Sequence, residues 1–191
     1  MPYLRANGII RAGRCPCWLP NGVCSFLGDI KKNGHGGLPG IGSWRGGMGK
    51  KFTSYDDIEQ GQEFKPCTYM LKEDTIVKYC KAVGESSPIF NDPEEAKSEG
   101  YPALVAPPTT VAIYAFRGFF DEVKMPTGSL HATQKFEFMH PALAGDVLTS
   151  TCKVISKHES KGEKHFVVEA ITKNQYGKVV VRSRMGAIWA E

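Results

Sequence analysis

The sequence lacks an apolar run long enough to cross a membrane, and no stretch combines the basic, apolar and small-residue zones of a secretory signal. We therefore expect a cytoplasmic protein with no membrane contact.

Acidic residues are scarce in one region only: residues 1–47 hold six lysines and arginines against one acid, a net charge of +5. Residues 48–191 hold 18 bases and 19 acids, a net charge of −1. Because the positive charge is confined to the first quarter, we expect no nucleic-acid partner.

That first quarter also lacks any apolar periodicity, although it holds 11 of the 21 glycines. A segment without a helical or alternating pattern has no means of burying surface to offset its ordering entropy. We predict that residues 1–47 are a disordered extension and that residues 48–191 form a single domain. Translation from Met48, where the composition changes abruptly, would omit the extension and leave 144 residues.

The cysteines do not have the spacing of a zinc site. Cys15, Cys17 and Cys24 supply three thiols, with His35 as the nearest fourth ligand, whereas zinc sites use pairs separated by two-residue loops. We predict reduced thiols, no metal and no cofactor.

Three helical segments are indicated after Met48. Glu73 and Asp74 open an amphipathic stripe that ends at Gly84, and Asp92 is a natural N-cap for a second, short helix, with Glu95 completing a capping box. The third segment, 109–120, follows two prolines and is apolar on nearly every side, so it must be surrounded by other elements.

Five β-rich runs complete the pattern, one before the helices and four after them: 67–71, 131–138, 147–157, 164–172 and 178–189. The order predicts an α+β fold in which a curved antiparallel sheet wraps a long central helix. This is the arrangement of a single hot-dog domain.

Two stretches resemble a known family. The first, Gly84 to Pro93 followed by Val105-Ala106-Pro107-Pro108-Thr109, resembles the central region of the MaoC-like hydratases and dehydratases, and most closely their FAS1-like dehydratase N-terminal-type domain. The second, Phe138 to Asp146, resembles the family's aromatic, proline and Gly-Asp stretch before a long strand. The resemblance covers about residues 54–190 and implies chemistry on acyl thioesters.

The family's catalytic pattern, Gly-Asp-x-Asn-Pro-x-His-x-Asp, is incomplete in this chain. The resemblance puts Glu85 at the aspartate, Ser87 at the asparagine and Phe90 at the histidine. The glycine whose backbone N–H would stabilise the thioester oxyanion falls on Pro108, which has no N–H. Loss of a dyad member and of the oxyanion donor each costs about 10²-fold or more in rate, so we expect the chain alone to be inactive.

Several residues remain candidates. Glu85 is either a lone general base or a carboxylate that binds nearby backbone at a helix end, and His140 is either at a pocket mouth or an exposed residue at a turn. Phe116, with Phe119 and Phe120, fits the core better than an acyl-specificity set, and Arg117 or Lys135 would have to supply local charge for CoA phosphates. The resemblance implies a substrate-binding set of Ser87, Phe90, Asn91, Pro107, Thr109, Phe116 and His140.

These features predict the substrate-binding subunit of an enoyl-CoA hydratase or 3-hydroxyacyl-thioester dehydratase. Its ligand would be an acyl-CoA or acyl-carrier-protein thioester, and a MaoC-like partner would supply the Asp/His dyad. Two alternatives stay open: a self-sufficient homodimeric hydratase or thioesterase that uses Glu85, and a non-enzymatic acyl-thioester-binding protein. A free sheet edge would favour dimerisation in every case.

Overall fold

The computed structural model describes Ile10–Arg11 and residues 52–190. The elements in these ranges are, in chain order, β1 (Ile10–Arg11), β2 (Cys67–Met70), α1 (Glu73–Val83), α2 (Pro88–Asn91), α3 (Pro93–Ser98), α4 (Pro108–Ala112), α5 (Arg117–Glu122), β3 (Leu130–Phe138), β4 (Val147–Ser160), β5 (Glu163–Lys173) and β6 (Val179–Trp189). Apart from β1, the predicted extension 1–47, its thiol cluster and the alternative start at Met48 lie outside the described residues.

The strands form one antiparallel sheet in the order β1-β3-β6-β5-β4-β2. All five predicted strands are present, and β4 is longer than predicted because it runs on to Ser160. Buried and half-buried residues alternate along β5, which places one face of the sheet against the helices. Register shifts in the β3–β6, β4–β5 and β5–β6 pairs mark bulges, which increase the local twist of a sheet.

The first two predicted helices are confirmed as α1 and α3. Gly84 ends α1 with φ 73°, a left-handed conformation that glycine adopts without steric cost. Asp92 caps α3 by accepting a hydrogen bond from the Glu94 N–H. The predicted capping box is only half formed, because the Asp92 N–H donates to the Pro88 carbonyl, 2.7 Å away, and is not available to Glu95. That bond belongs to α2, a one-turn helix that the sequence pattern did not predict.

The long central helix is interrupted. Residues 113–116 form turns between α4 and α5, with i to i−3 bonds such as Ala115 N–H to Ala112 O, 3.2 Å. The Ala115 carbonyl accepts from the Cys152 thiol at 3.3 Å, which ties the turn to β4. The prediction that other elements surround this central segment on every side is also wrong for one flank. Ile113 is 63% and Phe120 47% exposed in this chain.

Two apolar clusters fill the space between this helical segment and the sheet. One surrounds Phe119 and Phe166 towards α5, and the other surrounds Val111 and Leu148 at the start of α4. No helix in the described ranges has both the length and the apolarity of a bilayer span. The same ranges contain no group of three or more His, Cys, Asp or Glu side chains placed to hold a metal ion.

Gly118, in α5, lies very close to the backbone of Lys65, and the importance of this contact for stability can be tested. A Cβ added at Gly118 would overlap the Lys65 carbonyl oxygen, a backbone atom that cannot rotate away. We expect Gly118→Ala to lower the free energy of unfolding by about 3 kcal/mol, measured by urea denaturation. The control is Gly84→Ala, which meets no atom within 4 Å and should cost about 1 kcal/mol from its left-handed φ alone. Equal effects of the two variants would contradict close packing at Gly118.

Candidate functional site

A small apolar pocket lies where α4 begins, between the helix and the ends of β3 and β6. It has room for about one water molecule. Its lining residues are Ala106, Pro108, Val111, Phe138, His140, Pro141, Ala142 and Val180. The pocket therefore joins the two stretches singled out in the sequence, and it contains two of the predicted site residues, Pro108 and His140.

His140 is held in place by the β6 strand. Its Nδ1 lies 2.8 Å from the Val179 carbonyl oxygen, and since a carbonyl only accepts, Nδ1 carries the proton and donates. The neighbouring Met139 N–H donates to the Val180 carbonyl at 2.9 Å. His140 is exposed at the pocket mouth, so the structure combines both sequence interpretations of this residue.

Glu85 binds backbone at the end of α1. Its Oε1 accepts from the Ser87 N–H at 2.9 Å, and its own N–H donates to the Cys80 carbonyl. Burial, and then the charge of Glu85, raise the pKa of the Cys80 thiol. Glu85 does not line the pocket that contains His140, so the two are not placed as an acid/base pair.

Three other predicted residues shape the segment between α1 and α3. Asn91 donates from Nδ2 to the carbonyls of Glu85, 3.2 Å, and Ser87, 3.0 Å. The Phe90 ring packs against the Val111 cluster, and its carbonyl accepts from the Cys80 thiol. The aromatic ring of Phe90 therefore serves packing.

The remaining predicted residues lie at three places along the central segment. Pro107 is buried and its carbonyl accepts from the Thr110 N–H. Thr109 is exposed, and its Oγ1 accepts from the Tyr79 hydroxyl at 2.8 Å. Phe116 is buried in the Phe119 cluster, away from the pocket lining. The structure thus brings together only part of the predicted substrate-binding set.

The two cations considered for CoA phosphates do not line this pocket either. Lys135 donates to Glu137 at 2.6 Å and is on the opposite face of β3 from Phe136 and Phe138. Arg117 begins α5 and lies near Cys67, where its charge partly offsets the burial that raises the pKa of that thiol. The described pocket lining contains no lysine or arginine.

Sequence reasoning missed a set of buried oxygens. The hydroxyls of Tyr69, Thr110 and Ser183 are inaccessible and have no hydrogen-bond partner among the described residues. Tyr69 also stacks on Tyr114, with ring centroids 4.7 Å apart. The sequence contains a signal for Ser183, because this polar residue occupies an inward position on an otherwise apolar strand face.

Asp146 explains the Gly-Asp stretch. Its Oδ2 accepts from the Leu143 N–H and its Oδ1 from Gln175 Nε2, both at 2.9 Å, and the side chain is buried. Gly145, with φ 92°, gives the turn its left-handed residue, and Leu143 pairs with Val105 just before α4. The carboxylate holds the loop that forms one wall of the pocket.

Comparisons with known proteins identify the family to which the sequence is similar. A family model described as FAS1-like, dehydratase domain region, matches residues 59–183. A UPF0336 protein of Streptomyces avermitilis is 32% identical over 128 residues, which are 63% of this chain and 85% of that protein.

Several solved structures have a similar fold. A chain of the HadBC (3R-hydroxyacyl-ACP dehydratase) complex from Mycobacterium tuberculosis has a TM-score of 0.60 and 29% identity, covering 68% of this chain and 96% of that one. The MaoC-like dehydratase from Rhodospirillum rubrum has a TM-score of 0.60 and 22% identity, covering 71% and 96%. These likenesses confirm the predicted hot-dog fold.

The role of Asp146 is testable by truncation. Asp146→Ala leaves the Leu143 N–H without its carboxylate acceptor, so we expect the free energy of unfolding to fall by about 3 kcal/mol in urea denaturation. The matched control is Asp57→Ala, which removes an exposed aspartate and should change stability by about 0.5 kcal/mol or less. A loss no greater than that of the control would contradict the structural role.

The buried phenol of Tyr69 gives a pH-dependent prediction. Burial raises the pKa of Tyr69 above its ordinary value, whereas in the unfolded chain the phenol ionises near pH 10, as an approximate reference. The phenol therefore ionises more easily in the unfolded chain, so this group makes stability fall as the pH rises above about 10 and leaves it independent of pH below that value. Tyr69→Phe should reduce that alkaline loss and raise stability at pH 7, because it removes an unpartnered buried hydroxyl.

The control for this variant is Tyr79→Phe. The Tyr79 hydroxyl donates to Thr109, so its removal should lower stability at pH 7. Urea denaturation at pH 7 and at alkaline pH measures both effects. Identical behaviour of the two variants would show that the Tyr69 hydroxyl has a partner in solution.

Proposed function

Because the chain belongs to the FAS1-like dehydratase region family, we propose that it is the acyl-thioester-binding subunit of an enoyl-CoA hydratase or 3-hydroxyacyl-thioester dehydratase. A MaoC-like partner chain supplies the Asp/His dyad. The observation that carries the proposal is the state of the positions that the resemblance assigns to the catalytic pair: the half-buried Phe90 packs against the Val111 cluster, and Glu85 binds backbone.

The groups that remain near the pocket do not replace the missing chemistry. His140 lies at the mouth, but its Nδ1 is engaged by Val179 and no carboxylate lines the described pocket. Pro108 occupies the position of the oxyanion donor and has no N–H to offer. General acid/base catalysis and oxyanion stabilisation each contribute about 10²-fold or more, so a chain without both groups needs them from elsewhere.

What remains is apolar, as an acyl chain requires, although the pocket in this structure has room for about one water molecule only. The pocket is walled by alanine, valine, proline and phenylalanine side chains, which match an aliphatic ligand. Its opening lies beside the start of α4, where the family's reacting thioester would be held. This division leaves substrate binding to the present chain and proton transfer to the partner.

Two surface features support a partner subunit. Ile113 and Phe120 are exposed apolar side chains on one flank of the central segment, and Leu130 is exposed at the start of β3. β3 is also at the margin of the sheet, where only the two residues of β1 pair with it in the described structure. One similar solved structure, HadBC, is a complex. An unpaired margin of this kind is commonly covered by a second chain.

The proposal predicts that activity requires mixing. The purified full chain alone should not hydrate a 2-enoyl-CoA, whereas the chain mixed with a MaoC-like protein of the same organism that carries the complete catalytic motif should. We expect the mixture to exceed either chain alone by at least about 10²-fold, measured by loss of the enoyl absorbance. Co-purification from the native source would identify that partner directly.

Glu85→Gln is the matched variant. The glutamine keeps an oxygen that accepts from the Ser87 N–H but removes the base, so activity of the mixture should be unchanged. Full activity of the chain alone that Glu85→Gln abolishes would instead establish a self-sufficient hydratase or thioesterase. Binding of acyl-CoA without turnover in any pairing would indicate a non-enzymatic acyl-thioester-binding protein.

A further inference from the structure

The short strand β1 pairs with the middle of β3. In the β1–β3 register, Ile10 is opposite Gln134 and Arg11 is opposite Thr133. Three residues of β3, 130–132, precede the paired positions, and four residues, 135–138, follow them. β6 pairs along the other side of β3. β1 therefore occupies the centre of the side of β3 that faces away from the rest of the sheet.

This central position leaves too little of β3 for another strand to pair beside β1. Strands of globular proteins have about 5–6 residues on average, whereas the parts of β3 on either side of β1 have three and four. Because adjacent strands lie about 4.8 Å apart, β1 and a strand of a second chain cannot occupy the same positions. Pairing of a second chain along β3 therefore requires that β1 leave.

The contact between β1 and β3 is short enough to be reversible. In an antiparallel ladder, register pairs alternate between pairs joined by two N–H···O bonds and pairs joined by none. The two consecutive pairs of β1 therefore include one doubly bonded pair. One net hydrogen bond shifts an equilibrium by roughly 3- to 10-fold, and part of that gain is offset by the entropy of closing the chain between Arg11 and Phe52. A longer strand that forms more hydrogen bonds can thus displace β1.

β1 does not cover the apolar side chains that the proposed partner would bury. Leu130, Ile113 and Phe120 are all exposed with β1 in place. β1 therefore occupies hydrogen-bonding groups of β3 and leaves this apolar surface accessible to a second chain.

We propose that β1 is an intramolecular strap, which occupies β3 in the isolated chain and is displaced when a strand of the partner subunit pairs there. The inference rests on the proposed partner subunit and adds a control on its assembly. Only molecules in which β1 is detached are competent to pair, so the detached fraction sets the apparent affinity for the partner. The strap makes that affinity weaker than an open β3 would give.

A double variant of the full chain, Ile10→Pro with Arg11→Pro, tests the strap. Proline has no N–H and places its ring where that hydrogen would point, and replacing both residues ensures that the one facing β3 is changed. We expect calorimetry to show roughly 3- to 10-fold tighter binding of the MaoC-like partner. The amide of Thr133 or Gln134 that faces β1 should exchange its hydrogen faster by the same factor, measured by NMR, because both quantities depend on the detached fraction.

The matched control is Leu4→Pro with Arg5→Pro. It also replaces an aliphatic residue followed by arginine, at positions that the β1–β3 register does not include. Partner affinity and the exchange of Thr133 and Gln134 should equal those of the wild type.

The possible results separate the strap from the proposed function. Unchanged exchange in the Ile10→Pro, Arg11→Pro variant would show that β1 does not pair in solution. Faster exchange with unchanged partner affinity would show that β1 only protects a sheet edge. Either result overturns the strap and leaves the proposed function intact. Tighter binding without turnover by the complex would support the strap and overturn the proposed function, and binding by neither protein overturns both.

Discussion

The packing of the α4–α5 segment on the inner face of the sheet is the contact on which the remaining structure depends. The Cys152 thiol of β4 donates to the carbonyl of Ala115 between the two helices, and Gly118 in α5 leaves no space for a methyl group beside the carbonyl of Lys65, just before β2. Because this segment is held at both of these points, the start of α4 is placed against the loop that Asp146 organises. The pocket between Pro108 and His140 is the result.

Two residues singled out by the resemblance, Phe90 and Glu85, have structural partners in this fold. A histidine that transfers protons needs a polar environment and a free ring nitrogen, whereas Phe90 contributes apolar surface to the core around Val111. Glu85 remains a carboxylate, yet its oxygen satisfies the Ser87 N–H just beyond the end of α1. A chain whose partner performs the proton transfer is free to use these positions for stability. An aromatic ring at Phe90 and a backbone-binding carboxylate at Glu85 are therefore compatible with a stable fold.

Local sequence patterns predicted the regular helices and strands. They failed where contacts between residues distant in sequence determine the backbone conformation. The stripe ending at Gly84 and the β-rich runs specify α1 and the strands, because each buries one face with a simple period. At the break, residues 113–116, the Ala115 carbonyl accepts from Cys152, 37 residues away in sequence, and no local pattern contains that contact. Half of the capping box failed for a similar reason, since α2 takes the Asp92 N–H. The resemblance located the pocket residues Pro108 and His140 but not the partners that determine what Glu85 does.

Buried polar groups carry information about this site that the apolar core does not. Native domains are stable by about 5–15 kcal/mol, so an unpartnered hydroxyl that costs about 1–3 kcal/mol is a substantial burden. Ser150 shows that this sheet face can satisfy a buried serine by pairing it with Thr172. Ser183 occupies the same face without such a pair, one step behind the pocket wall. Replacing Ser183 with alanine would remove an unpartnered hydroxyl, whereas the same change at Ser150 would break a hydrogen bond to Thr172.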